Sequence, residues 1–113
     1  MTGRATEFRV KVGDRASLVL TLTDSDGVVL NLSNTTTYAS GKWKVWKPSG
    51  TVLINGTIVF TTRASGVITY TLVAADTVIA NAGTWEGEVE IKDTDGTITE
   101  QSQTFNFIIE ESY

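Results

Sequence analysis

The 113-residue sequence contains neither cysteine nor histidine. Without cysteine, the chain can form no disulfide bond, no thiolate metal site and no cysteine nucleophile. Without histidine, it lacks the usual general base of enzymes and the commonest protein ligand of transition metals. The G-x-S-x-G pattern that marks the nucleophilic serine of many hydrolases is also missing. These absences predict a protein that is not an enzyme and that uses no cofactor.

The sequence also lacks a run of basic residues and a long apolar stretch. Its formal net charge is −4, which argues against a nucleic-acid-binding surface, because such surfaces collect lysine and arginine. No apolar stretch reaches the ~18 residues of a membrane span. The segment Met1 to Glu7 has no apolar core of the kind found in secretion signals. We therefore expect neither nucleic acid nor membrane among its partners.

In place of these features the sequence has β-branched residues in alternating patterns. It contains 19 Thr, 12 Val and 8 Ile, whose side chains are stiff at χ1 and suit pleated sheet better than helix. A single proline against 10 glycines indicates many tight turns. Alternation of polar and apolar positions predicts strands at residues 6–12, 17–23, 28–32, 42–47, 51–54, 57–62, 67–72, 85–91 and 98–109.

This spacing of strands predicts the fold class. Short strands that are joined by turns, with no helix of crossover length between them, favour an all-β antiparallel sandwich of about 7–9 strands. The alanine-rich residues 74–82 are too few for an independent helix and predict one short helical turn near 74–80. We expect a single domain over residues 1–113, with its core at about 6–110. The aromatic residues predicted to face inward are Trp43, Phe60, Tyr70, Trp85, Phe105 and Phe107.

Charged residues predict which strands are neighbours. Lys42 and Lys44 form one outward row, and Glu86, Glu88 and Glu90 form another. Because opposite charges on adjacent strands relieve the repulsion within each row, the strand of Lys44 is expected beside the strand of Glu88. The glutamate spacing also permits the carboxylate pair of a glycosidase. An exposed sheet face, however, does not raise the pKa of an acid as that reaction requires.

Turns are expected at several glycines. Asn55-Gly56 is the strongest short hairpin signal, because both residues tolerate the positive φ of a two-residue turn. It predicts a hairpin between residues 51–54 and 57–62. Residues 24–27 and 93–96 share the pattern D-x-D-G. Their carboxylates could bind Ca²⁺, but the calcium-loop pattern needs a further acidic position and a glutamate that are missing here. Turn formation alone explains these residues, so no metal site is predicted.

Trp46 is a large aromatic residue that is predicted to face outward, and three explanations for its position are open. It shares its predicted face with Lys42 and Lys44. It is shielded by its neighbours, buried in a protein interface, or paired with Tyr38 as an aromatic platform for a sugar, and the first two readings are favoured. The predicted interface residues are Tyr38, Lys42, Lys44 and Trp46, and no residue is predicted to be catalytic.

Short motifs also occur in a fixed order along most of the chain. They are F-x-V at 8–10, Gly-Asp at 13–14, L-x-L-x-L at 18–22, Asp-Gly at 26–27, W-K-P-S-G at 46–50, G-x-I-x-Y at 66–70, A-G-T-W at 82–85 and F-x-F-x-I at 105–109. This ordered series resembles the N-terminal domain of phage baseplate upper proteins.

The resemblance implies an immunoglobulin-like β-sandwich and a structural protein of the phage virion, with no catalytic residues to carry over. It also implies contacts with other virion proteins of the tail, baseplate or capsid, several copies in each particle, a homo-oligomer, and synthesis in the host cytoplasm. Baseplate upper proteins continue beyond this domain, whereas the present sequence ends at Tyr113. We therefore expect a small accessory protein of the tail or baseplate. The alternatives are a head-decorating protein, a carbohydrate-binding module and a bacterial surface repeat.

Overall fold

The fold is taken from a computed structural model that describes residues 7–111. Within this range the chain forms nine strands, which confirms the all-β prediction. They are β1 (Glu7–Lys11), β2 (Ser17–Thr21), β3 (Ser40–Trp46), β4 (Val52–Thr57), β5 (Val59–Thr62), β6 (Val67–Thr71), β7 (Gly83–Lys92), β8 (Ile98–Gln101) and β9 (Phe105–Glu110). The predicted start of the first strand at Thr6 lies outside the described residues.

The strands form two sheets, as in an immunoglobulin-like sandwich. The large sheet has six strands in the order β1-β9-β7-β3-β4, and β8 pairs with the second half of β7. The small sheet has three strands in the order β2-β6-β5. Most neighbours are antiparallel, but β1 runs parallel to β9, which the purely antiparallel prediction did not include.

The predicted neighbours β3 and β7 are confirmed. They pair antiparallel from Ser40 opposite Lys92 to Trp46 opposite Glu86. This register places Lys44 directly opposite Glu88. The charge rows that were visible in the sequence therefore lie on adjacent strands of the large sheet.

Aromatic and branched side chains from both sheets fill the core. Trp43 is fully buried, and its ring stacks on Tyr70 of the small sheet with the ring centroids 6.0 Å apart. Phe8 packs edge-on against Trp43 and Phe105, at 5.0 Å to each centroid. Trp85 is also buried, with its indole Nε1 donating a 2.9 Å hydrogen bond to a backbone carbonyl. The predicted inward facing is thus confirmed, although Phe60 is only partly buried.

The hairpin predicted at Asn55-Gly56 is wrong. Both residues lie inside β4, where Gly56 pairs with Trp43 of β3. A side chain at Gly56 would overlap the ring of Tyr70, so the glycine permits a close approach of the aromatic ring rather than a turn. The chain then passes through Ile58 directly into β5, which belongs to the other sheet.

Three further element boundaries differ from the prediction. Residues 28–32 do not form a strand, because after the turn at Gly27 they touch the preceding segment through one isolated bridge, Thr23 to Val29. The predicted strand 98–109 is divided into β8 and β9 at Ser102, whose hydroxyl accepts a hydrogen bond from the Val89 amide. The helical turn near 74–80 consists of two short 3₁₀ turns, Ala74–Thr77 and Ile79–Asn81.

Candidate protein-docking surface

The outer face of the large sheet carries three of the four predicted interface residues. Because side chains alternate along each strand, Lys42, Lys44 and Trp46 of β3 all project away from the core. The registers align them with outward residues of the flanking strands in three rows. These rows are Glu86–Trp46–Val52, Glu88–Lys44–Asn55 and Glu90–Lys42–Thr57. We call these nine residues the charged face.

Lysines from two strands neutralise Glu90. The Lys44 Nζ lies 3.2 Å from a carboxylate oxygen of Glu90, and the Lys92 Nζ lies 3.7 Å from the other oxygen. The Glu90 side chain is only 9% exposed, so it depends on these cations more than a surface glutamate would. The main ion pair is therefore diagonal across the strands, since Lys44 bonds to Glu90 and not to its direct neighbour Glu88.

Glu88 lies in a less favourable environment than an isolated surface acid. Burial raises the pKa of its carboxyl, and the nearby charge of Glu90 raises it further. Lys44 and a 3.1 Å hydrogen bond from the Gln101 side-chain amide act in the opposite direction.

A shallow depression of about 350 Å³ lies in this face. Its lining residues are Lys44, Trp46, Val52, Asn55 and Glu88. Trp46 is half-buried in its wall, so it is partly shielded and partly available for contact. Val52, the cross-strand neighbour of Trp46 on β4, is 64% exposed. A depression that is lined by both apolar and charged side chains is typical of surfaces that contact a partner.

The structure does not place Tyr38 beside Trp46. Tyr38 lies in the turn before β3 and packs partly against the hydrophobic core. Its backbone carbonyl accepts a 2.8 Å hydrogen bond from the guanidinium of Arg63. The two aromatic residues therefore do not share the sheet face that a joint sugar platform would need. An interface role for Tyr38 stays a prediction.

Sequence reasoning missed the contribution of β4 to this surface. Val52 and Asn55 line the depression, but the assumed hairpin at Asn55-Gly56 removed them from the large sheet. A usable signal was present, because residues 49–62 contain no charged side chain.

The acidic turns follow turn chemistry. Asp24 Oδ1 accepts hydrogen bonds from the amides of Asp26 and Val28, and Asp93 Oδ1 does the same for Asp95 and Thr97. Across residues 7–111 there is no group of three or more acidic side chains placed to hold a metal ion. No helix in that range is long and apolar enough to cross a membrane.

A buried acid that the sequence analysis did not single out has a structural role. Asp76 accepts a 2.8 Å hydrogen bond from the Tyr70 hydroxyl and a 2.9 Å bond from the Val73 amide. Burial raises the pKa of the Tyr70 hydroxyl, and the bond to Asp76 adds to the effect. The pair fixes the segment after β6 to the core.

Comparison with known families decides the family of this chain. The model of the BppU N-terminal domain matches residues 3–113. The chain belongs to the BppU N-terminal domain family. BppU is a phage baseplate protein, so membership confirms the resemblance and gives the chain a structural role in a phage particle. It also implies a location in the virion and contacts with other virion proteins.

Solved structures support the fold of this BppU N-terminal domain. The N-terminal domain of phage TP901-1 ORF48 is similar with a TM-score of 0.70 and 14% identity, covering 93% of this chain and 85% of that one. CopC from Methylosinus trichosporium OB3b is similar with a TM-score of 0.54 and 10% identity, covering 96% and 88%. No curated protein sequence matches the chain.

Proposed function

We propose that the chain is a non-enzymatic docking module of the phage tail or baseplate, present in several copies on a symmetric assembly. The family match over residues 3–113 is the observation that carries this proposal. The composition agrees with it, because the sequence has no histidine or cysteine to act as base or nucleophile.

The charged face is the surface that we propose for docking. It combines a half-buried tryptophan, an exposed valine and a depression of about 350 Å³ on a rigid sheet. Tryptophan is enriched among residues that dominate binding energy, and charged neighbours set orientation and rate of association more than affinity. Lys42 contributes through its aliphatic stem and through the 2.9 Å bond from its Nζ to Thr57.

The experiment is assembly of phage particles with altered copies of this protein, followed by mass spectrometry of purified virions. We expect the wild-type protein in virions and little incorporation of Trp46→Ala. The matched control is Val19→Ala, an exposed residue on the small sheet, which should be incorporated normally. Absence of the wild-type protein from tails would contradict the proposal. Its presence on heads would favour the alternative of a head-decorating protein.

A further inference from the structure

The sequence holds a single Asn-Gly pair, Asn55-Gly56, and it lies inside β4. Asparagine before glycine is the dipeptide most prone to spontaneous deamidation, because glycine has no Cβ to hinder the main-chain nitrogen that attacks the side-chain amide. Asn55 is also exposed, so water and hydroxide reach its side chain. The other asparagines each precede a residue with a Cβ, and they are Asn31, Asn34, Asn81 and Asn106.

Pairing with β3 holds the attacking nitrogen of Gly56 away from the Asn55 side chain. The Ile58 amide donates a 3.1 Å hydrogen bond to the Gly41 carbonyl of β3. Because peptide groups two residues apart along a strand point the same way, the Gly56 amide also points at β3, opposite Trp43. The Asn55 side chain instead stands out of the plane of the sheet. The nitrogen reaches the side-chain carbon only if the peptide plane rotates, and that rotation breaks the bond to β3.

The ring of Tyr70 adds a second restraint from the other sheet. It covers Gly56 so closely that a Cβ at this position would overlap the ring. The ring is itself held in place, because its hydroxyl donates a 2.8 Å hydrogen bond to the buried Asp76 and its face stacks on Trp43. The fold therefore opposes the reaction at Asn55, although the local sequence favours it.

The position of β4 makes this protection reversible. β4 is the last strand in the order β1-β9-β7-β3-β4, so within the large sheet it pairs with β3 alone. Its separation also breaks the 2.9 Å hydrogen bond from Lys42 Nζ to Thr57, but it leaves the β3–β7 ladder intact. Local opening of an edge strand costs less free energy than unfolding of the whole domain. The Gly56 amide is therefore freed in a minor fraction of folded molecules and in all unfolded ones.

We propose that Asn55 is a deamidation site that the fold protects and that separation of β4 from β3 exposes. The freed Gly56 nitrogen loses its proton to hydroxide and attacks Asn55 Cγ. A C–N bond forms, and the side-chain nitrogen leaves as ammonia. Water then opens the resulting cyclic imide at either carbonyl, which gives aspartate or isoaspartate. The net reaction takes up water and releases ammonia, with no oxidation or reduction.

The isoaspartate product does not fit β4. It routes the main chain through the side chain and so adds a methylene between the Cα of residue 55 and the nitrogen of Gly56. Gly56 then no longer lies opposite Trp43 and under the Tyr70 ring, and the rest of the strand is out of register. The aspartate product keeps the main chain and only places a carboxylate opposite Lys44. The two products thus separate the effect of the backbone from the effect of charge.

The rate of the reaction is measured by mass spectrometry of the purified chain after incubation at mildly alkaline pH, in buffer and in urea. Trypsin releases residues 45–63 as one peptide, whose single asparagine is Asn55, so deamidation of this peptide reports on Asn55 alone. We expect a rate in buffer at least about thirtyfold lower than in urea, because β4 is open in few folded molecules. Residues 16–42, with Asn31 and Asn34, form the internal control and should react much more slowly in urea.

Two variants test the consequence for the fold. Chains are incubated in urea, returned to buffer and then unfolded again in a urea titration. The wild-type fraction that carries isoaspartate should unfold at a lower urea midpoint than untreated protein. Asn55→Gln keeps an amide but requires a larger ring, so it should recover its own midpoint after the same treatment. Freshly prepared Asn55→Asp is the charge control and should unfold close to the wild-type midpoint.

Three results would overturn the proposal. Equal rates in buffer and in urea would mean that the fold does not protect Asn55. No modification in urea, or equal modification of the control peptide, would mean that Asn55 is not a preferred site. An isoaspartate chain with the midpoint of untreated protein would mean that β4 tolerates the longer main chain. The rate comparison uses the unaltered protein, so it holds even if a variant does not fold, and it is independent of the proposed docking function.

Discussion

The outer faces of the two sheets differ in chemistry. The charged face of the large sheet carries lysine and glutamate in opposed rows. The outer face of the small sheet is built from Ser17, Val19, Thr21, Val59, Thr61, Val67, Thr69 and Thr71, none of them charged. Its side chains interact through hydroxyl pairs, such as Ser17 with Thr71 at 3.0 Å. Charge on one face marks β3 and β7 as neighbours, whereas the other face carries no charge pattern that marks any pair.

This difference explains which pairings could be predicted from the sequence. Three glutamates opposite two lysines have one favourable arrangement, so the β3–β7 pair followed from charge alone. Threonine and valine pair with each other about equally well in many registers. The strand order β2-β6-β5 could therefore not be predicted from the sequence.

The first prediction compares one inward-facing residue of the large sheet with one of the small sheet. Trp85 is buried behind the large sheet, where a 2.9 Å hydrogen bond and the Lys47 ammonium at 4.6 Å from the ring hold it. Trp85→Ala should lower the free energy of unfolding by about 3–5 kcal/mol. Leu20 of the small sheet is half-buried, so Leu20→Ala should lower the free energy of unfolding by about 1–2 kcal/mol. Urea denaturation measures both, and equal losses would mean that Trp85 contributes no more to the stability of the core than a half-buried leucine.

The second prediction reverses a charge on each face. Lys44→Glu leaves the mostly buried Glu90 with a new acid in place of its nearer cation, and should cost about 2 kcal/mol. Thr69→Glu introduces the same charge in the middle of the uncharged face and should cost about 1 kcal/mol or less. The comparison fails if the threonine variant is the less stable of the two in urea at low salt.

The third prediction removes one apolar side chain from each face. Trp46 is half-buried in the depression, so Trp46→Ala should lower stability by about 1 kcal/mol. Val59 is 64% exposed, and Val59→Ala should change stability by less than about 0.5 kcal/mol. A null effect of Trp46→Ala on thermal unfolding would mean that its neighbours do not shield the ring.

The fourth and smallest prediction concerns pH. The pKa of Glu88 is raised in the folded chain, so the folded state holds its proton more tightly than the unfolded state. Stability from this group is complete below the ordinary pKa of glutamate and is lost as the pH rises through the folded value. Glu88→Gln should therefore stabilise the protein at pH 7 by a few tenths of a kcal/mol, because solvent screens most of the effect. At low pH the wild type and the variant should have the same free energy of unfolding. A variant that is less stable than the wild type at pH 7 would contradict the prediction.

The candidate site could be predicted only in part. Lys42, Lys44 and Trp46 followed from the period of one strand. Tyr38 did not, because the position of a turn residue depends on long-range contacts such as the bond from Arg63 to its carbonyl. The role of Gly56 was hidden for a similar reason. Its neighbour Asn55 signals a local turn, but a tyrosine from the other sheet, fourteen positions along the chain, occupies the space above the glycine.

The most direct test of the account is a cryo-electron microscopy reconstruction of the phage tail that carries this protein. We expect density for the domain in which the charged face is covered by a neighbouring protein, while the threonine and valine face of the small sheet lies in solvent. A reconstruction in which the small-sheet face is covered and the surface around Trp46 is open would contradict the account.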